Sequence, residues 1–142
     1  MRLIIASDHA GRCLKKAVLA YLVEEKGLSV KDLGVPDEVE KADYPDYAAQ
    51  VAEAVAAGNC DLGILVCGTG TGMAMAANRV RGARAANCSN EFLARMARAH
   101  NNANILALGE RCLGEGLALA VVDAFLETPF EGGRHQDRLN KF

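Results

Sequence analysis

The sequence predicts an α/β fold, a single doubly wound domain of three layers (α/β/α) on a five-stranded parallel sheet, Rossmann-like in outline. Two observations carry this expectation. Short apolar runs alternate with longer amphipathic ones from end to end, and strand–helix alternation of that kind builds a parallel sheet with helices on both faces. No linker, internal repeat or low-complexity stretch interrupts the 142 residues, so residues 1–142 are expected to form one domain.

The first strand is RLIIA, Arg2 to Ala6. In the helix that follows, Cys13, Leu14, Ala17, Val18, Tyr21 and Leu22 recur at helical spacing, and Gly27 is placed to end it. LSVKDLG reads as a second strand. YPDYAAQVAEAVAAGN reads as a second helix, with Pro45 near its start and Gly58 after its end. DLGILVC is continuously apolar, as a strand covered on both faces should be. A glycine loop and an alanine-rich helix come next, then GARAANC as a fourth strand. SNEFLARMARAH is a helix capped by Ser89 or Asn90. NANILALG is the fifth strand and EGLALAVVDAFLE the fifth helix; the tail, 128–142, is polar and broken by glycine.

Composition narrows the function classes. Hydrophobic residues make up 51% and charged residues 24%, a globular composition rather than a disordered one. A net charge of -2 argues against a nucleic-acid partner, for which a strong positive balance is expected. No run of eighteen apolar residues is present, so no membrane partner is expected. Five cysteines, Cys13, Cys60, Cys67, Cys88 and Cys112, are widely spaced and include no Cys-x-x-Cys pair. That pattern fits neither a disulfide framework nor a zinc site, and it points to a reducing cytoplasm with no metal bound. Cys13 and Cys60 read as packing residues.

In open parallel sheets ligands sit beyond the carboxyl ends of the strands. Those ends carry Ser7-Asp8-His9, Cys67 with Gly68, Gly70 and Gly72, Asn87-Cys88-Ser89, and Gly109-Glu110-Arg111. The glycine loop fails three familiar tests, two of them at Met73. A dinucleotide fingerprint from Gly68 needs Gly or Ala where Met73 stands, and needs an acidic residue about 20 positions on. A cysteine phosphatase loop needs arginine at that same position, and no Gly-Lys-Ser/Thr triplet of a Walker A loop occurs. What remains is a small-residue loop feeding a helix, whose N–H groups can approach an anion closely and can favour a thiolate at its mouth. On pattern alone Cys67 fits a packed core thiol as well as a catalytic one.

Five segments in register, SDHAG, DYPDYA, CGTGTGMAMAANR, HNNANILALGER and FEGGRHQDR, resemble the ribose-5-phosphate isomerase type B family, which includes allose- and galactose-6-phosphate isomerases. The resemblance covers the chain from its first strand to its tail. It implies an aldose–ketose isomerase of sugar phosphates, ribose 5-phosphate before the six-carbon sugars, working through an enediolate without metal or organic cofactor. It implies that Cys67 is the base, Met73 standing where a sister branch carries a catalytic glutamate. It implies that His100 opens the sugar ring. Asp8, His9, Gly68, Gly70, Thr71, Gly72, Asn101, Arg111, Arg134 and Arg138 match substrate-binding positions, with the three arginines and His9 on the phosphate. The family further implies a homodimer or dimer of dimers with the site between subunits, so that His100 and part of the tail serve a partner.

The residues can be weighed against those roles. Thr69 can set a hydroxyl near the sugar oxygens, and the loop offers N–H donors to the charge that builds during proton abstraction. His100 shares a helix face with Leu93 and Met96, which also fits a packed core or interface histidine. Arg134 and Arg138 stand four apart, so a helical tail puts both forks on one face, with His135 facing elsewhere. Tyr44, after the second strand, is expected to line the pocket. The residues by themselves also fit a phosphosugar-binding module without catalysis.

Overall fold

The computed structural model describes all 142 residues, Met1–Phe142. Five strands form the sheet: β1 (Leu3–Ser7), β2 (Val30–Asp32), β3 (Leu62–Cys67), β4 (Ala85–Asn87) and β5 (Ile105–Gly109). They are all parallel, in the order β2-β1-β3-β5-β4. Around them lie α1 (Arg12–Ala20), α2 (Tyr44–Ala56), α3 (Thr71–Ala77), α4 (Glu91–Ala99), α5 (Glu115–Glu127) and a short α6 (Arg134–Leu139).

Right-handed crossovers decide which helix covers which face. The steps β1 to β2 and β4 to β5 run one way across the sheet, so α1 and α4 share a face, where α5 joins them. The steps β2 to β3 and β3 to β4 run the other way, and α2 and α3 pack together on the opposite face. Side-chain alternation along the strands fills both layers. Leu3, Ile5, Ile64, Val66, Leu106 and Leu108 pack beneath α1, α4 and α5. Ile4, Ala6, Leu65, Cys67, Ile105 and Ala107 pack beneath α2 and α3. The connections from β1 and β3 leave toward opposite edges of the sheet, so a crevice is expected beyond Ser7 and Cys67.

The edge strands are shorter than the segments LSVKDLG and GARAANC predicted for them, three residues each in β2 and β4, since an edge strand has only one neighbour to hold its ladder. The first helix keeps its predicted span, but its last turn, Tyr21–Glu25, widens into a π-helix before Gly27 at φ 65°. Cys60 is buried, whereas Cys13 is exposed on α1 and corrects the packing role expected for it. No helix is long and apolar enough to cross a membrane.

Candidate active site

β3 ends in Cys67, and the chain then turns sharply enough to bring the N–H of Gly70 to 3.1 Å from Cys67 Sγ. The turn needs glycine at 70, where φ is 80° and a side chain would run into Asn87 and the end of β5. Gly109, at that end, is held to glycine by contact: a Cβ there would stand 2.7 Å from the backbone of Thr69. The loop is strapped to β5 by two further bonds, Glu110 N–H to the Cys67 carbonyl at 2.9 Å and Arg111 N–H to the Gly68 carbonyl at 3.0 Å.

Asn87, at the end of β4, completes the frame. Its Nδ2 donates to the Thr69 carbonyl at 3.2 Å and to Thr71 Oγ1 at 3.1 Å. Sequence reasoning placed Asn87 at a strand end but gave it no part in the site; that position was the available signal. Thr71 N–H donates to Thr69 Oγ1 at 3.3 Å, while the N–H groups of Gly68 and Thr69 have no acceptor within the chain. Met73 is fully buried beneath the loop, in the core layer below α2 and α3.

Other predicted residues gather around this loop. The Arg111 guanidinium lies over Gly68, with Nη1 3.3 Å from where a Cβ would sit. The Tyr44 ring, on the first residue of α2, lies over Gly72. Asp8 is buried and accepts the Ala10 N–H at 2.9 Å, capping the turn that leads into α1. His9 Nδ1 stands 3.1 Å from the Ala42 carbonyl and 3.2 Å from its N–H. Arg12 holds the same 35–42 loop through the carbonyls of Pro36 and Val39.

His100, Asn101, Arg134 and Arg138 are elsewhere in the chain. α4 leaves the carboxyl end of β4 and runs back along the sheet, so His100, its C-cap, sits at the amino end of β5. Cys67 pairs with Gly109 at the other end of that strand. The two are therefore separated by about the length of β5, on the order of 15 Å for five residues. Within one chain the predicted site residues therefore fall into two separate groups, a loop half and a tail half. The core reading of the His100 face is also corrected: α4 buries Ala94, Ala97 and Ala99, while Leu93 is 42% and Phe92 64% exposed. The tail is helical, as the arginine spacing anticipates, and both arginines are exposed.

In the tail half Glu131 N–H donates to the Ala99 carbonyl at 3.0 Å, docking the tail on the end of α4. His135, left out of the site on sequence grounds, turns away from the arginines and lies flat on His100, ring centroids 4.2 Å apart. Of the remaining cysteines, Cys88 is buried, and desolvation pushes its thiol up to about 11. It is a thiol at neutral pH.

Comparisons with known proteins give this geometry its context. A sequence profile described as Ribose/Galactose Isomerase matches residues 3–142. Ribose-5-phosphate isomerase B of Escherichia coli (strain K12) is 48% identical over 138 residues, 97% of this chain and 91% of that one. Among solved structures, ribose-5-phosphate isomerase B of Clostridium thermocellum superimposes with a TM-score of 0.95 at 51% identity, covering 99% of this chain and 94% of that chain. The Mycoplasma genitalium enzyme, solved with bound ribulose-5-phosphate, gives a TM-score of 0.92 at 45% identity, covering 99% and 92%. The chain belongs to the ribose/galactose isomerase family.

Proposed function

We propose that this protein interconverts D-ribose 5-phosphate and D-ribulose 5-phosphate, with Cys67 as the base and with its site completed by the tail half of a second copy. The single observation that carries the reading is the Cys67 loop: a strand-end thiol with an N–H donor 3.1 Å from its sulfur, framed by Asn87, Gly109 and Arg111. Isomerases of the same name, at 48% and 51% identity over nearly the whole chain, support the substrate class.

The chemistry needs no external oxidant. The thiolate of Cys67 takes the proton from carbon 2 of the open-chain aldose, and the electron pair moves onto the carbonyl oxygen as an enediolate forms. The proton on the carbon-2 oxygen passes to the carbon-1 oxygen. The thiol then returns its proton to carbon 1, which leaves the ketose. The Gly70 N–H stands 3.1 Å from the sulfur as a hydrogen-bond donor. The unpaired N–H groups of Gly68 and Thr69, with the Thr69 hydroxyl, are donors for the developing oxyanion. Met73 points into the core and leaves Cys67 as the base of the loop.

His100, supplied by the partner copy, transfers the proton that opens the furanose ring, since an imidazole can both accept and donate a proton. Asn101, Arg134 and Arg138 come with it and meet Asp8, His9 and Arg111, the arginine forks holding the phosphate. The active form is a homodimer or a dimer of dimers, with the tail 128–142 against the neighbour, and the reading fits a cytoplasmic enzyme.

The test is an assay of purified protein with ribose 5-phosphate in the presence of a chelator, following ketose formation. Turnover that survives the chelator and is abolished by Cys67→Ala, with sugar-phosphate binding retained, is the expected result. Binding without turnover for ribose, allose and galactose phosphates would instead leave a phosphosugar-binding module. The ratio of kcat/KM among those three sugars fixes chain-length preference.

A further inference from the structure

The tail half contains a group of titratable side chains that the scheme above uses only in part. After α5 the chain meets Glu131, whose N–H is held by the carbonyl of Ala99. Gly132 and Gly133 follow at φ 65° and 55°, a pair of left-handed residues that folds α6 back over the end of α4. This turn lays the His135 ring on the His100 ring, 4.2 Å between centroids and 6° between planes. Glu131 Oε2 stands 3.4 Å from His135 Nε2 and 3.9 Å from His100 Nε2. The His135 side chain is 7% exposed and that of His100 is 38% exposed. One ring is a buried plate, and the other is open to a substrate.

We infer that His135 is a positioning residue for His100, and that the stacked pair with Glu131 works as one unit carrying a single proton. This rests on the ring-opening role proposed for His100. The geometry supplies the first part: stacking on a buried ring fixes the plane of an imidazole that is otherwise free to turn about two bonds. Charge supplies the second. Two imidazolium rings in contact repel each other, while the one carboxylate between them can offset a single positive charge. The charged groups facing His135 are Glu131 from the turn, His100 from α4, and Arg134 and Arg138 from α6 itself. Burial, then His100 and Arg134, hold the His135 imidazole below its ordinary 6.5, and Glu131 opposes them.

The three side chains also bring ligand atoms within 4.8 Å of one another. Two parallel rings cannot aim their in-plane lone pairs at one ion without one of them turning, so the stack favours a proton-holding unit over a chelate.

The test combines two measurements on the full-length protein. NMR titration of the imidazole carbons follows both rings in the wild type and His100 in His135→Phe, which keeps a flat ring and removes its proton site. Two-step curves in the wild type that become one simple step for His100 in the variant are expected. Kinetics then separate the halves of the reaction. Conversion of ribose 5-phosphate requires ring opening, whereas exchange of a carbon-1 proton of ribulose 5-phosphate with deuterated solvent requires only the Cys67 half. His135→Ala should slow conversion about tenfold and leave exchange within about twofold, while His135→Phe restores most of the rate with a displaced pH profile. Conversion and exchange falling together in a folded His135→Ala protein, or His100 titrating identically with and without His135, overturns the inference. If His100→Asn converts ribose 5-phosphate at the wild-type rate, the ring-opening reading fails, and the titration still decides the pairing.

Discussion

The two ends of the sheet solve the same problem differently. At the carboxyl end the Cys67 loop is fixed from several sides: the Gly70 N–H faces the sulfur, the N–H groups of Glu110 and Arg111 donate to the carbonyls of Cys67 and Gly68, and the Asn87 side chain donates across the loop. At the amino end His100 sits on the rim of the molecule, held by a stacked ring and one carboxylate from a tail folded back through two glycines. On the proposed mechanism the loop holds a proton-abstracting base, which must not move, and its loop is framed by strand ends that the core already fixes. On the same proposal His100 serves a neighbouring subunit and must project outward, and projection costs it such a frame.

That contrast can be broken most severely at the loop. Cys67→Ala removes the only base placed there and should lower turnover by about a thousandfold or more. Carbon-1 proton exchange should vanish with it, while calorimetry still detects ribose 5-phosphate binding. Gly70→Ala puts a side chain at φ 80°, against Asn87 and β5. Because a small displacement of a reacting group can cost about a hundredfold in rate, kcat should fall by that order with KM changing less. His100→Asn should reduce conversion of ribose 5-phosphate by about a hundredfold and spare proton exchange, the opposite pattern to Cys67→Ala. Asn87→Ala, which frees the Thr69 carbonyl and the Thr71 hydroxyl from a shared donor, should give about a tenfold loss of kcat, on the order of one net hydrogen bond.

The smallest effect is on stability against pH. His135 is depressed in the folded protein, so as pH falls below its ordinary 6.5 the unfolded chain takes up a proton that the folded chain resists. Stability at that site is fully present above 6.5 and is lost as pH drops toward the folded value. Protection factors of the α6 amides, exchange rates corrected for the intrinsic pH dependence, should fall over that interval, and should not do so in His135→Phe.

The fold was legible because its signals are local and repeated. Continuous apolar runs mark the interior strands β1, β3 and β5, and helical spacing with end glycines marks the helices between them. The loop half was legible as well, since a strand end followed by glycines announces a close turn whatever its tertiary setting. Asn87 was missed because its role depends on a neighbour eighteen residues away in sequence. His135 was missed for a different reason: spacing shows which way it turns from Arg134 and Arg138, but not that the Gly132–Gly133 turn delivers it onto His100. Leu93 and Met96 mimic a core stripe, because an exposed apolar helix face has the same periodicity as one covered by its own core. Alanines bury the other side of α4 instead.

The division of the site between two copies is tested most directly by subunit exchange. Cys67→Ala and His100→Asn proteins, each nearly inactive alone, are mixed under conditions that let subunits exchange, and isomerisation of ribose 5-phosphate is followed. Each mixed dimer contains one site with both native residues, so activity should return to about a quarter of the wild-type value at full exchange across a two-fold interface. Mixed dimers demonstrated by mass spectrometry that remain as inactive as their parents would contradict the account.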